Sequence, residues 1–169
     1  MKENILEAFR NLGFKLEEEE GMGYCFTYEG LNLIYVYNED DEEFLNIALP
    51  GIMPVEGGKA LQTFVLQEKL NSTLKYVKAH MLGDRIWLFY ERALIGQREK
   101  NAEGQPVGGE DLEAVISHMI IHLEGGYRFA CKAMAEIEKT VADLYSGDDS
   151  ADDTEETVAE EITDDGDNE

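Results

Sequence analysis

The spacing of apolar residues changes its period several times along the chain, and each change marks a new element. From about Lys2 to Leu12 the apolar positions, among them Leu6 and Phe9, recur every three or four residues, which is the period of a helix with one buried face. Gly13 follows directly, and glycine is the residue that most often ends a helix. The pattern therefore predicts a first helix over this segment.

Alternation with a period of two comes next. The segments GYCFTY, LNLIYVY and FLNIAL place apolar side chains at every second position and are rich in the aromatic and β-branched residues that strands favour. Farther along, LKYVKAHM and IWLFYERAL alternate on either side of the turn sequence LGDR. These segments predict five strands, and the short turns between them make the neighbours antiparallel. The last of them is apolar on both faces, which predicts cover on both sides.

Helical spacing returns twice. A second helix is predicted from about Gly58 to Thr73, and its apolar stripe consists of Leu61, Phe64, Val65 and Leu70. After a predicted loop from Gly96 to Gly109, a long final helix is marked by Leu112, Ile116, Met119, Leu123, Ala130, Met134, Ile137, Val141 and Leu144. Two adjacent glycines, Gly125 and Gly126, interrupt this helix and either kink or split it, since glycine disfavours a helix interior. The fold class is thus α+β: a five-stranded antiparallel sheet in the order helix–three strands–helix–two strands–helix, with a long C-terminal helix.

The acidic run NEDDEE lies between the second and third predicted strands. It either holds a metal ion or forms the polar tip of a hairpin. A calcium loop of the EF-hand type requires ligands at alternating positions, a central glycine and a terminal glutamate over a longer stretch, and NEDDEE has no glycine. Asn and Asp are favoured in turns because they hydrogen-bond to their own backbone. The pattern favours the turn.

Acidic residues are concentrated at the C-terminal end. The 37 acidic residues include 12 from Ser146 onward, where no basic residue occurs, so that 25 acidic and 14 basic residues remain before that point and give a net charge of −11. A polar segment with charge of one sign buries too little apolar surface to offset its chain entropy. The composition predicts a single α+β domain over residues 1–145 and an acidic disordered tail over residues 146–169.

The charge and the apolar content narrow the classes of function. An acidic body repels nucleic-acid phosphates and anionic membrane surfaces, so neither is predicted as a partner. The chain has no apolar run of the roughly 20 residues that a membrane-spanning helix needs, and its first residues lack the apolar stretch of a signal peptide. The two cysteines, Cys25 and Cys131, form no CxxC motif. The predicted compartment is the cytoplasm.

Residues with catalytic or metal-binding chemistry are few. His118 and His122 are four apart in the final predicted helix, so that their rings project from the same face at the spacing of a two-histidine metal site. The zincin pattern requires a glutamate directly after the first histidine, and Met119 stands there. We interpret the pair as surface or partly buried histidines. A metal-dependent enzyme or metal sensor built on them is the alternative, and no cofactor, catalytic residue or enzymatic activity is predicted.

Aromatic and apolar positions favour contact with another protein. Tyrosine combines an apolar ring with a polar hydroxyl and is enriched at interfaces. The final helix is long enough to pass the edge of the sheet, which leaves its last apolar positions without cover from the same chain. The candidate partner-binding residues are Tyr24, Tyr28, Tyr35, Tyr37, Met134, Ile137 and Val141. We therefore predict a non-enzymatic protein-binding module that forms a homodimer.

The segments ILEAFRNLGF, YCFTYEGLNLIYVY, FLNIALPG and LKYVKAHMLGDRIWLFYERAL, in this order in a small acidic chain, resemble the type III secretion chaperone-like fold and the related YbjN-type bacterial proteins. The resemblance spans about Lys2 to Tyr145. It implies a cytoplasmic bacterial protein that dimerises, holds a partially unfolded protein partner and lacks catalytic residues. It implies no particular site residue, because the family has no site motif to match.

Overall fold

The computed structural model describes residues 1–55, 57–95, 102 and 108–147. Of the predicted tail over residues 146–169, the first two residues belong to helix and the rest lie outside the described residues, as does most of the predicted loop between Gly96 and Gly109. The three α-helices are α1 (Lys2–Asn11), α2 (Ala60–Thr73) and α3 (Leu112–Gly147). The six strands are β1 (Glu17–Glu19), β2 (Gly23–Tyr28), β3 (Leu31–Val36), β4 (Phe44–Pro54), β5 (Val77–Leu82) and β6 (Arg85–Ala93).

The strands form one sheet in the spatial order β1-β2-β3-β4-β6-β5, and every neighbouring pair is antiparallel. The predicted α+β class, the antiparallel sheet and the long C-terminal helix are confirmed. Because β6 inserts next to β4, strand β5 becomes an edge of the sheet, and β1 forms the other edge.

The predicted count of five strands and the predicted element order are wrong. The chain runs helix, four strands, helix, two strands, helix, and a short 3₁₀ helix at Gly57–Lys59 precedes α2. The missed strand, β1, consists of three exposed glutamates and has no apolar alternation that a pattern could detect. Its main chain pairs with β2, with Glu18 opposite Tyr24, and the Tyr24 hydroxyl donates to Glu18 Oε1 at 3.0 Å.

All three helices contribute to one core on a single face of the sheet. The fully buried members of this core include Ile5 and Phe9 of α1, Leu66 and Leu70 of α2, and Met119 of α3. In the part of the chain that the structure describes, no helix packs on the other face, where the rings of Trp87 and Phe89 are partly buried and stack 6.1 Å apart. Among the described residues, helices therefore cover β6 on one face only, while Ile34 and Ala48 on the other face are also buried.

The orientation of α2 differs from the predicted one. The helix buries Thr63, Leu66 and Leu70, whereas Leu61 and Phe64 of the predicted stripe point outward with 74% and 55% of their surface exposed. The apolar residues of α2 are distributed all round the helix, so the sequence pattern does not single out one face for burial. A buried threonine is tolerated because its hydroxyl donates to the Lys59 carbonyl oxygen at 3.0 Å.

Helix α3 is continuous over its 36 residues, so the adjacent glycines do not split it. A Cβ on Gly125 would meet open space, while a Cβ on Gly126 would lie 3.4 Å from side-chain carbons of Leu74, Val77 and Leu88. Gly126 thus faces the sheet, whereas Gly125 faces away from it. Despite its length, neither this helix nor any other in the described residues is apolar enough to cross a membrane.

The acidic run forms the turn that the sequence favours. Asn38 Oδ1 accepts a hydrogen bond from the Asp40 backbone N–H at 3.0 Å, and the Phe44 N–H donates to the Asp41 carbonyl oxygen at 3.1 Å. These bonds turn the chain from β3 into β4, which pair as antiparallel neighbours.

Candidate functional site

An open apolar groove lies between α2 and the C-terminal part of α3. Its volume is about 560 Å³. Its walls are formed by Gly58, Leu61, Gln62, Val65 and Lys69 on one side and by Glu136, Ile137, Thr140, Val141, Leu144 and Tyr145 on the other. The most exposed apolar side chains of the groove are Leu61, Leu144 and Tyr145, at 74%, 70% and 78%. Exposed apolar side chains in such a continuous arrangement are typical of an interaction surface.

The groove exists because α3 is longer than the strand along which it runs. Helix α3 follows β6, since His118 lies beside Tyr90 and Gly126 lies over Leu88. At 1.5 Å per residue α3 spans about 54 Å, whereas the nine residues of β6 span about 30 Å. Beyond the sheet, α3 forms an ion pair with α2, Lys69 Nζ to Glu136 Oε2 at 3.0 Å, and one with the 3₁₀ helix before α2, Lys59 Nζ to Glu138 Oε1 at 2.8 Å. The ion pair with Lys69 lowers the pKa of the Glu136 carboxyl. The last turns of α3 are thus held against α2 while their apolar side chains remain open.

Three of the predicted partner-binding residues lie at or near this groove. Ile137 and Val141 line it, and Met134 lies beside it, next to Lys59 and Glu138. Met134 and Ile137 also pack against the core, and Ala130 of the same predicted stripe is fully buried. The uncovered part of the stripe therefore begins only near Ile137 and continues to Tyr145.

The four predicted tyrosines lie elsewhere, on the helix-facing side of β2 and β3. Tyr35 has only 1% of its surface exposed, and burial raises its pKa above the ordinary range. Tyr24, Tyr28 and Tyr37 are partly buried against the same core. The Lys2 ammonium lies over the rings of Tyr24 and Tyr37, 5.1 and 4.5 Å from their centres. The structure therefore does not bring the tyrosines together with the groove, and Tyr35 has almost no surface to offer a partner.

The predicted histidine pair forms a second cluster, in the first third of α3. His118 Nε2 and His122 Nε2 are 3.0 Å apart, because one helical turn separates the two residues. The Tyr90 hydroxyl of β6 lies 3.4 Å from His118 Nδ1. No described residue adds a further His, Cys, Asp or Glu to form a group of three around a common point.

Tyr76 completes this cluster and was not predicted as part of it. Its ring stacks on that of Tyr90 at 5.5 Å and meets both imidazoles edge-on at 5.8 and 5.3 Å. Its φ angle of +69° is unusual for a residue other than glycine. Such backbone conformations cost about 1–3 kcal/mol and cluster at functional sites. The sequence carries no signal for this contact, since Tyr76 and His118 are far apart along the chain.

The electrostatics of the cluster favour neutral imidazole at His122. Burial lowers the pKa of His122, and the nearby His118 lowers it further. Burial also raises the pKa of the Tyr90 hydroxyl. His122 is thus biased toward the form that offers a free nitrogen lone pair.

No protein-family model matches the chain, and no curated protein matches it either. The resemblance to chaperone-like proteins stays a prediction, and the function has to be argued from the groove and the histidine cluster themselves.

Proposed function

We propose that the protein is a non-enzymatic protein-binding module, chaperone-like or regulatory, that works as a homodimer. The observation that carries the proposal is the apolar groove between α2 and α3, whose exposed rims include Leu61 and Leu144. An apolar surface of this extent lowers its free energy by leaving water, at roughly 25 cal/mol per Å².

The occupant that fits the groove best is a second copy of the same chain. The surface offers both a groove and the protruding apolar side chains that would fill one, which is the requirement of an interface with two-fold symmetry. Two α2–α3 pairs would then form a four-helix arrangement with the exposed side chains inside. The net charge of −11 on each body opposes pairing, but physiological salt screens charges beyond about 8 Å, and Lys59 and Lys69 neutralise the two glutamates beside the groove.

Sedimentation equilibrium of the full chain at physiological salt tests the pairing. We expect a dimer at micromolar concentration, and we expect Leu144→Glu to dissociate it, because the buried charge would be unpaired in the interface. Ile121→Glu is the matched control: Ile121 lies on the same helix with 57% of its surface exposed and does not line the groove. Circular dichroism should remain unchanged in both variants.

A mass of one chain at all concentrations would overturn the proposal, as would a dimer that Leu144→Glu leaves intact while Ile121→Glu dissociates it. Ile137→Asp is a second probe from inside the groove. Because Ile137 also packs on the core, a dimer that dissociates without loss of helix signal supports the interface, and an unfolded variant assigns Ile137 to the core of the monomer.

A different protein partner would bind the open face of the sheet. The row Cys25–Ile34–Ala48–Phe89 crosses the sheet on that face. Ile34 and Ala48 are buried within the row, so the surface for a partner is that of the partly exposed, stacked rings of Trp87 and Phe89. The acidic body favours a partner segment that is apolar with basic flanks. Trp87 is the only tryptophan in the chain, so its emission should shift to shorter wavelength when a leucine–lysine peptide binds there. Phe89→Asp should remove the shift, and a shift that this variant retains would exclude the face.

A further inference from the structure

The inference concerns the histidine pair on α3, which plays no part in the groove. His118 and His122 occupy successive turns, and their Nε2 atoms face each other at 3.0 Å. In a metal-free protein one hydrogen atom is shared between these nitrogens, since two N–H groups pointing at each other would repel. A divalent ion can take the place of that hydrogen.

We propose that His118 and His122 bind a divalent first-row transition-metal ion through their Nε2 atoms, and that Cu²⁺ and Ni²⁺ are the preferred ions. Imidazole nitrogen is a favourable ligand for both, and Cu²⁺ binds nitrogen ligands most tightly of the divalent series.

The distance between the two nitrogens is compatible with a single shared ion. Metal–nitrogen bonds of about 2.05 Å that span 3.0 Å enclose an angle of about 94°. This is close to the right angle between neighbouring ligands in the square-planar and tetragonal geometries typical of Cu²⁺ and Ni²⁺. Rotation of the two rings about their side-chain bonds is needed to point both lone pairs at one ion.

The surroundings of His118 match those of a metal ligand. When Nε2 binds a metal, Nδ1 carries the hydrogen and needs an acceptor, which in metal sites is usually an oxygen atom that fixes the tautomer. The Tyr90 hydroxyl oxygen lies 3.4 Å from His118 Nδ1 and is held in place by the burial of its ring. Tyr90 is therefore a positioning residue rather than a ligand.

Tyr76 restricts the motion of both rings. It meets the two imidazoles edge-on and stacks on Tyr90 with an angle of 7° between the planes. Fixing the imidazoles before the ion arrives reduces the entropy lost on binding. His118 is exposed and His122 is partly exposed, so the ion can enter from solvent and complete its coordination with water or with a ligand from another molecule.

The test is a titration of the full-length chain, without an affinity tag and after treatment with a chelator, with nickel chloride followed by calorimetry. We expect saturable binding of one ion per chain. His118→Asn and His122→Asn should each weaken it at least about tenfold, and Tyr90→Phe should weaken it up to about tenfold, in line with the effect of outer-sphere partners in metal sites.

His80→Asn is the matched control, because it removes the third histidine of the chain. His80 lies on β5 beside Phe89, on the other face of the sheet, and its loss should leave nickel affinity unchanged. In a parallel sample with one equivalent of Cu²⁺, electron paramagnetic resonance should show hyperfine splitting from two nitrogens, which should fall to one or none in His122→Asn. Binding that survives both α3 variants would assign the metal to carboxylates or to the N-terminus and overturn the proposal, as would affinity no tighter than millimolar.

Discussion

The side-chain amide of Asn71 forms two hydrogen bonds with the main chain of Ala79. The Ala79 N–H donates to Asn71 Oδ1 at 2.7 Å, and Asn71 Nδ2 donates to the Ala79 carbonyl oxygen at 3.1 Å. Gln67 Nε2 donates to the same carbonyl oxygen at 3.0 Å. Since β5 is an edge of the sheet, these bonds replace those that a further strand would supply. They occupy the edge and fix α2 against it.

Replacing Asn71 with leucine should therefore destabilise the fold. The variant loses both bonds and leaves the Ala79 N–H without its acceptor, which we expect to lower the free energy of unfolding by about 1–3 kcal/mol. Urea unfolding measures the loss. Ser72→Ala is the control, because Ser72 is exposed and bonds only within its own helix. Equal stability of the two variants would show that the amide contributes nothing to the edge.

The contact between Asn71 and Ala79 also shows which features of the fold could not be predicted from the sequence. The segments of β2 to β6 were predictable because alternation records which side chains are buried, and Phe26, Leu33 and Leu88 are indeed buried. The face that α2 presents to the sheet was not predictable from the sequence. Two polar residues of α2, Gln67 and Asn71, hydrogen-bond to the main chain of β5 and so orient the helix. The spacing of hydrophobic residues carries no information about such hydrogen bonds.

The candidate sites show the same division. Helical spacing alone predicted that His118 and His122 share a face, and their contact confirms it. The contribution of Tyr76 depends on a left-handed backbone angle and on the packing of β5 beside α3, which are tertiary features. The groove was predicted only on its α3 side, since its other wall consists of α2 side chains that the sequence pattern placed in the core.

The two adjacent glycines of α3 should respond differently to alanine. At Gly125 an added Cβ meets open space, so Gly125→Ala should stabilise the protein by up to about 1 kcal/mol through helix propensity. At Gly126 the same atom would lie 3.4 Å from side-chain carbons of Leu74, Val77 and Leu88, an ordinary van der Waals distance, so Gly126→Ala should gain the same helix propensity and also bury a methyl group. Thermal unfolding of the two variants compares them directly. A Gly126→Ala variant less stable than the original protein would show that α3 lies too close to the sheet for a methyl group.

Stability should depend on pH through His122. Its pKa is lower in the folded protein than the ordinary value of 6.5, first because of burial and then because of His118. The unfolded chain therefore binds the proton more readily, so the stabilising contribution is complete above about pH 6.5 and is lost as the pH falls through the lower folded value. Urea unfolding at pH 7 and pH 5, with a chelator present, should show a smaller loss in His122→Gln than in the original protein.

His80→Gln serves as the control for this pH effect, because His80 lies on the other face of the sheet from the histidine cluster. The acidic groups contribute equally to all three proteins, so the difference between them isolates His122. If His122→Gln loses as much stability on acidification as the original protein does, the lowered pKa has no effect on folding.

The hairpin between β2 and β3 turns through two residues with positive φ angles, Glu29 at +50° and Gly30 at +79°. Two positive angles at the centre of a two-residue loop define a type I′ turn, in which asparagine followed by glycine is the preferred pair. Glu29 is exposed, so its replacement loses no buried contact. We expect Glu29→Asn to raise the free energy of unfolding by up to about 1 kcal/mol, because asparagine adopts the left-handed region more readily than glutamate. Glu29→Val should do the opposite, since a β-branched side chain is disfavoured there. Urea unfolding ranks the three proteins, and an asparagine variant less stable than the original would mean that the Glu29 side chain stabilises the turn in some way other than its backbone angle.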